Sequence, residues 1–273
     1  MRSNWLGILV VLALCTLTAL AQVSSEPVAV LDNAVTSPHQ FHPMKFHRVR
    51  PDGTVESGNW SGYAVTGSDF TNAKGSWTVP SVNCSKTPNT YSAFWVGIDG
   101  YNSTTVEQTG VIAYCNGTRA AYYAWYEFYP AGSVEITSVP VSPGNEISAS
   151  VSYSGSEFTT TITNETTGKS YSKSSRVSGA KRSSAEWIAE APCCTGSGGI
   201  LPLSDFGTAY FGEDYTGIAD TNYATETSTS GPISAFGSDV QEIIMVSSGG
   251  ADEAVPSALT DGGTSFDVVW KSE

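Results

Sequence analysis

This sequence predicts an all-β fold, a sandwich or a barrel, and three observations carry that prediction. Apolar and polar residues alternate with period two from residue 54 to the end, with turn-forming residues between the runs. No stretch of helical periodicity separates those runs. Ser, Thr and Gly are the commonest residues, and the long Leu, Ala, Glu and Lys stretches of a helical bundle are missing.

The runs can be taken in order. In Tyr123-Ala-Trp-Tyr-Glu-Phe-Tyr129, the residues Tyr123, Trp125, Glu127 and Tyr129 share one face of a strand. Ile147, Ala149, Val151 and Tyr153 alternate with Glu146, Ser148, Ser150 and Ser152. Ser154-Gly155-Ser156 then reverses the chain, and Phe158, Thr160 and Ile162 continue on a new strand. Thr167-Gly168 marks another turn, and Phe266, Val268 and Trp270 share a side of the last run. Residues 54–273 are long for one sandwich but within reach of a single all-β domain. No fixed repeat or interior linker divides them.

The N-terminal part has a different composition. A secretory signal peptide is expected over residues 1–21: Arg2, an apolar run over 6–20, then Ala19-Leu20-Ala21 before Gln22. The run is short for a spanning helix of ~20 residues, and no later segment reads as one. An extracellular protein without membrane association is therefore expected. Residues 22–53 read as a basic prosegment carrying His39, His42, Lys45, His47, Arg48 and Arg50. From Thr54 onward there are 9 Lys/Arg and 23 Asp/Glu, so the body is acidic. A basic leader before an acidic body suggests an electrostatically docked prosegment.

Composition also excludes chemistry. The formal net charge of −13 argues against a nucleic-acid partner. With 14% charged and 40% hydrophobic residues the chain is not disordered. All three histidines lie at or before position 47, so the body cannot hold a Ser-His-Asp triad, a Cys-His pair or an HExxH zinc site. No metal or cofactor is expected. No P-loop, GxGxxG or GxSxG is present, and Ser170-Tyr-Ser-Lys173 lacks the companions of an S-x-x-K enzyme. Past the signal peptide, Cys84, Cys115, Cys193 and Cys194 allow three pairings. Cys84–Cys115 is favoured, with Cys193 and Cys194 as a separate adjacent pair. Five Asn-x-Ser/Thr sequons, at Asn59, Asn83, Asn102, Asn116 and Asn164, permit glycosylation.

What remains is carboxylate and amide chemistry. Alternation puts Trp95, Gly97 and Asp99 on one face, Val106, Gln108 and Gly110 on one face with Glu107 opposite, and Glu186, Ile188 and Glu190 on one face. Glu127 sits among aromatics. A carboxyl in an apolar cleft has a raised pKa and suits acid/base work. On a solvated face it would do nothing special.

These segments resemble the eqolisins, the glutamic peptidase family. The markers are Asn59-Trp-Ser-Gly-Tyr63, Gly75-Ser-Trp-Thr-Val-Pro80, Phe94-Trp-Val-Gly-Ile-Asp-Gly100, Glu107-Gln-Thr-Gly110, Tyr123-Ala-Trp-Tyr-Glu-Phe-Tyr-Pro130, Thr166-Thr-Gly-Lys169 and Ala185-Glu-Trp-Ile-Ala-Glu190. The resemblance implies a sandwich of two large antiparallel sheets, a concanavalin-like jelly roll. It also implies hydrolysis of polypeptides in acidic medium by a Gln/Glu dyad, matching Gln108 and Glu190 rather than Glu186. Trp95, Asp99, Glu127, Tyr123 and Trp125 would line the cleft, although some members carry Asp where Tyr123 stands. Its expected partners are polypeptide substrates and its own propeptide, with the protein a monomer; on this resemblance the basic leader would bind the acidic cleft near neutral pH, and acidification would release it for self-cleavage before about Thr54. The alternatives on such a sandwich are a glycoside hydrolase using Glu127 and Glu190, and a carbohydrate-binding module with Trp95, Trp125 and Tyr123 as platforms.

Overall fold

The computed structural model describes residues 34–37, 39–194 and 199–273, which belong to one compact unit. The expected signal peptide and residues 22–33 lie outside them. Strands β1 (Ala34–Thr36), β2 (His39–Gln40) and β3 (Phe46–Val49) come from the expected prosegment. The first half of the body adds β4 (Val55–Ser57), β5 (Trp60–Thr66), β6 (Asn72–Thr78), β7 (Tyr91–Ile98), β8 (Val106–Asn116), β9 (Arg119–Tyr129) and β10 (Val134–Ile136). Next come β11 (Glu146–Ser154), β12 (Glu157–Asn164), β13 (Lys169–Ser175), β14 (Ser184–Glu190), β15 (Cys193–Cys194) and β16 (Thr208–Phe211). The last strands are β17 (Tyr223–Thr225), β18 (Ser230–Pro232), β19 (Val240–Val246), β20 (Asp252–Pro256) and β21 (Phe266–Trp270).

The expected sandwich is what the chain forms. One layer runs β3-β4-β19-β5-β14-β7-β8-β9-β10-β1, antiparallel throughout except for the parallel β4–β19 pair. The other runs β13-β12-β11-β6, with β16 and β17 along the far edge of β6. Strand β20 pairs with β19 and with β21, and β21 pairs with β16. The ladder thus passes from one layer to the other, and few edges stay open to other chains.

The main core fills the space between the layers. Ala185, Trp187 and Ala189 of β14 and Phe94, Val96 and Ile98 of β7 meet Trp77, Ile147, Phe158 and Phe211 from across the sandwich. The opposite face of the first layer carries a second apolar cluster: Trp60, Trp95, Ile112, Trp125 and Ile188, capped by Phe41. Strand β14 is consequently buried at every position. Alternation predicts its two faces correctly, but both are covered. Ser170 and Lys173 belong to β13 on the far layer, outside this second cluster.

The N-terminal segment is part of this architecture. Strand β1 extends the first layer beyond β10, and β2 pairs with β15 through Gln40 and Cys193. Strands β3 and β4 form a hairpin whose turn contains residue 53, the expected boundary of the prosegment. Its basic side chains serve the hairpin: Arg48 and Arg50 both bind Glu56, and Arg50 also reaches Asp252 at 2.5 Å. The sequence-based expectation aimed these charges at the cleft; buried Glu56 draws them to the sheet edge instead.

The Cys84–Cys115 disulfide forms as favoured. Cys193 is buried and its Sγ accepts a hydrogen bond from Lys45 Nζ at 3.7 Å. The expected bond to Cys194 falls on a side chain outside the described residues. Of the sequons, Asn83, Asn102 and Asn116 are exposed, whereas Asn59 and Asn164 are buried and hydrogen-bonded inside the fold.

Three carboxyl groups meet where β7 ends and β8 and β14 begin: Asp99, Glu107 and Glu186, none exposed to solvent. Glu107 and Glu186 make no hydrogen bond of good geometry, with Thr105 and Ser184 lying close by. Burial, then the nearby Asp99 charge, pushes Glu107 up to about 9. Burial raises Glu186 as well, with Asp99 and Glu107 adding repulsion. In the unfolded chain both titrate near ~4.3. The stability they supply is therefore complete below that value and is lost as pH rises toward about 9 for Glu107. Urea midpoints measured against pH are expected to fall on the alkaline side, and Glu107→Gln should flatten the fall. Stability that rises from acid to alkaline pH would contradict this. Replacing Cys84 and Cys115 together by Ala opens a loop of sequence separation 31. That should cost about 3–4 kcal/mol in urea unfolding on the loop-entropy model; an unchanged midpoint would refute it.

Candidate active site

The cleft lies on the outer face of the first layer, where β14, β7, β8 and β9 run side by side. Cross-strand register builds it in rows. Glu186, Gly97, Gln108 and Glu127 are successive neighbours, then Ile188, Trp95, Gly110 and Trp125, then Glu190, Ala93, Ile112 and Tyr123. Two glycines hollow the middle of this face. A Cβ on Gly110 would lie 2.3 Å from the Phe94 carbonyl oxygen and 2.5 Å from Trp95 Cβ. One on Gly97 would meet the Trp95 ring at 2.9 Å. Neither position tolerates a side chain without displacing Trp95.

Glu190 is fully buried. Its Oε2 accepts a hydrogen bond from Trp95 Nε1 at 2.8 Å. Its Oε1 accepts from the His42 backbone N–H at 3.2 Å and from Asn59 Nδ2 at 3.4 Å. Desolvation pushes its pKa up to about 8, and these donors pull only partly against it. Trp60 packs edge-on against Trp95, with ring centroids 4.9 Å apart, and closes the dry wall.

Gln108 is equally buried, and its Nε2 donates to Glu127 Oε2 at 2.8 Å. The amide has a second N–H, so one hydrogen remains for another acceptor. Glu127 is raised well above the usual carboxylate range, first by burial and then by the charge of Glu190. Glu127 therefore joins the two expected dyad members: it binds one and is electrostatically coupled to the other. The amides of Phe41 and Ser133 favour its ionised form, in opposition.

The groove is filled by the chain's own Ser37 and residues 39–45. Phe41 is fully buried and stacks on Trp125, with centroids 3.6 Å apart and planes 12° apart. Such a stack is worth ~0.5–1.5 kcal/mol beyond its buried area. Tyr123, one of the expected wall residues, shares its hydroxyl with His39 Nδ1 at 2.7 Å and with Ser37 Oγ at 2.8 Å. His42 packs against Tyr129, ring centroids 5.2 Å apart. Met44 N–H donates to the Gly100 carbonyl, and Lys45 N–H to Asn59 Oδ1. The segment meets the carboxyl groups through the backbone amides of Phe41 and His42. The side chain of His47 lies outside the described residues.

His39 is enclosed by Tyr91, Tyr114 and Tyr123, with Glu135 near the last two. Burial lowers its pKa to about 4. The free imidazole titrates near ~6.5, so the neutral form is the docked one. Docking strength from His39 is complete above that value and lost as pH falls through about 4.

Asp99 departs from the expected cleft position. Its φ of 69° breaks the strand alternation. The carboxylate accepts the backbone N–H groups of Lys181, Arg182 and Ser183, at 2.8, 2.7 and 2.9 Å, and the Ser183 hydroxyl at 3.0 Å. It fastens the loop leading into β14. Conversely, the residue-level reading gave no role to Asn59, Trp60 or Tyr129. The Asn59-Trp-Ser-Gly-Tyr63 marker held the signal for the first two, but it read as a glycosylation sequon. Among the described residues no cluster of three His, Cys, Asp or Glu is arranged to hold a metal ion.

Comparison with known proteins fits this geometry. Scytalidopepsin B of Scytalidium lignicola is 39% identical over 144 residues, 51% of this chain and 53% of that protein, so the match spans about half its length. Aspergillopepsin-2 of Aspergillus niger is 29% identical over 209 residues, 68% of this chain and 71% of that protein. The crystal structure of scytalido-glutamic peptidase with a transition state analog inhibitor matches at TM-score 0.65 and 28% identity, covering 78% of this chain and 98% of that one. Aspergilloglutamic peptidase from Aspergillus niger matches at TM-score 0.55 and 28% identity, covering 67% and 99%. Gln108, Glu127 and Glu190 all fall within residues 58–251, which match the Peptidase A4 family model, and the chain belongs to that family, the eqolisins.

Proposed function

We propose that the protein is an acid-acting endopeptidase in which Glu190 and Gln108 carry the reaction. The observation that supports this most is a segment of the chain lying across the cleft with an amide nitrogen 3.2 Å from Glu190 Oε1. Peptide hydrolysis needs an acid for the carbonyl oxygen, an activated water, and a proton for the leaving nitrogen. Burial keeps Glu190 protonated in acidic medium, so it enters as the acid while water adds. The resulting carboxylate then accepts a proton from the tetrahedral intermediate and delivers it to nitrogen. The second N–H of Gln108 donates to the same carbonyl oxygen and stabilises the negative charge that builds on it during the transfer. Glu127 holds the Gln108 amide in position, and Trp125 and Tyr123 form the walls that receive a peptide. The family consists of peptidases, so the glycosidase and carbohydrate-binding readings are not favoured.

Among the described residues no helix is long and apolar enough to cross a membrane. Together with the signal-like N-terminus, this supports a secreted enzyme that acts as a monomer. The docked segment 34–45 supports a zymogen whose propeptide lies over the cleft. Its neutral His39, rather than basic charges facing the cleft, supplies pH-dependent release.

Hydrolysis of a denatured protein substrate in acidic buffer should fall by roughly 10²–10⁴-fold in Glu190→Gln and roughly 10²–10³-fold in Gln108→Ala. Circular dichroism would confirm that both variants fold. Undiminished proteolysis in either, or activity on polysaccharide alone, would sink the assignment. In the matured wild type, kcat/KM should decline as Glu190 ionises. The midpoint should lie between an ordinary ~4.3 and the about 8 of the covered cleft. A rate that climbs from acid to neutral pH would contradict it.

A further inference from the structure

We propose that residues 39–45 lie in the cleft as the enzyme's first substrate and that the Phe41–His42 peptide bond is the one it hydrolyses during maturation. This rests on the peptidase reading above and assigns the bond that the reading leaves open. Four observations lead to it.

The backbone at this bond addresses the buried carboxyl group of Glu190: His42 N–H donates to its Oε1 at 3.2 Å. The neighbouring Phe41 amide favours the ionised form of Glu127 without a hydrogen bond of good geometry. The nitrogen beside Glu190 is the one that would leave if Phe41–His42 were cut. On the acyl side the Phe41 ring is wholly buried against Trp125, so that residue is held on the floor of the groove.

The chain is clamped on both sides of this bond. Upstream, Ser37 N–H donates to the Ser133 carbonyl at 3.0 Å, and Gln40 pairs with Cys193. Downstream, Asn59 Nδ2 donates to the His42 carbonyl at 3.4 Å, and Gly58 N–H donates to the Lys45 carbonyl at 2.8 Å. Pro43 excludes the helical region for His42, which suits an extended substrate.

The turn expected from composition to be cut is occupied otherwise. Around Thr54 the chain closes the β3–β4 hairpin, with Arg50 N–H bonded to the Thr54 carbonyl at 2.8 Å and Gly53 N–H to Arg50 at 3.0 Å. Presenting that turn to Glu190 would require unpairing the hairpin and breaking the Arg48 and Arg50 ion pairs.

The products then separate sensibly. The Phe41 carbonyl carbon gains hydroxyl from water as its bond to His42 nitrogen breaks, and that nitrogen takes the proton. The piece ending at Phe41 keeps β1, β2, the Trp125 stack and the contacts of Ser37 and His39 with Tyr123, of which those of His39 weaken as it protonates. The piece starting at His42 stays joined through the hairpin and the parallel β4–β19 pair.

The test uses the full chain purified at neutral pH and then acidified to about pH 3.5, below the ~4.3 of an ordinary Glu. Intact mass and N-terminal sequencing follow the chain, and hydrolysis of added denatured casein is followed in parallel. A new chain starting at His42 and a fragment ending at Phe41 are expected. Their appearance should be first order, with a rate constant independent of protein concentration, because the bond sits in its own cleft. Glu190→Gln should stay whole, and Phe41→Asp should slow the appearance of the His42 terminus at least tenfold. Casein hydrolysis without a His42 terminus, or a rate proportional to protein concentration, overturns this inference and leaves the peptidase reading standing. A wild type that cuts neither itself nor casein overturns both.

Discussion

Five carboxyl groups, those of Asp99, Glu107, Glu127, Glu186 and Glu190, sit out of water on and beside one sheet. The ion pairs made by Arg48, Arg50, Lys86, Arg176 and Arg182 go elsewhere, to Glu56, Asp252, Asp205, Glu157 and Asp69. A buried carboxylate without a cation is costly, so it either takes up a proton or collects N–H donors. The protein does both. Asp99 is satisfied by three amides of one loop, while burial pushes Glu107 and Glu186 toward the protonated form. Glu190 lies between these extremes, with three donors and still a raised pKa. That intermediate state suits a group which must both give and take a proton within one turnover.

The same constraint explains how the N-terminal segment docks. A lysine or arginine lowered into this cleft would ionise Glu190 and Glu127 and disarm them. Backbone amides leave the protons in place. Of the basic residues that composition singled out, Arg48 and Arg50 bind Glu56 and Asp252 at the sheet edge, where they hold the hairpin that carries the segment. The aromatic wall then does for an extended chain what charge would otherwise do: it binds through area, with Phe41 on Trp125 at its centre.

Strand faces were legible in the sequence. Period-two alternation correctly put Gln108 on the opposite face from Glu107, and Glu186 with Glu190. It also put Glu127 among the aromatics of the cleft. An all-β sandwich or barrel followed from the same pattern, and the family resemblance chose the sandwich. Alternation could not say that both faces of β14 are buried, since the covering element is a segment far away in the chain. It failed at Asp99, where a left-handed residue redirects the side chain after the strand ends. It also could not give the role of Asn59, whose hydrogen bonds to Lys45 and Glu190 depend on register between distant strands. Net charge was the weakest guide. It identified a basic leader beside an acidic body, but not that a single buried Glu56 would claim two of its arginines.

The central claim is that desolvation, not a charged neighbour, sets the protonation of Glu190. The most direct measurement is the titration of that one carboxyl. Infrared or carbon NMR difference spectra between wild type and Glu190→Gln would follow it in the intact chain with its N-terminal segment in place. The account predicts a midpoint well above an ordinary glutamate, at about 8. A midpoint at or below the ~4.3 of an exposed glutamate would contradict it.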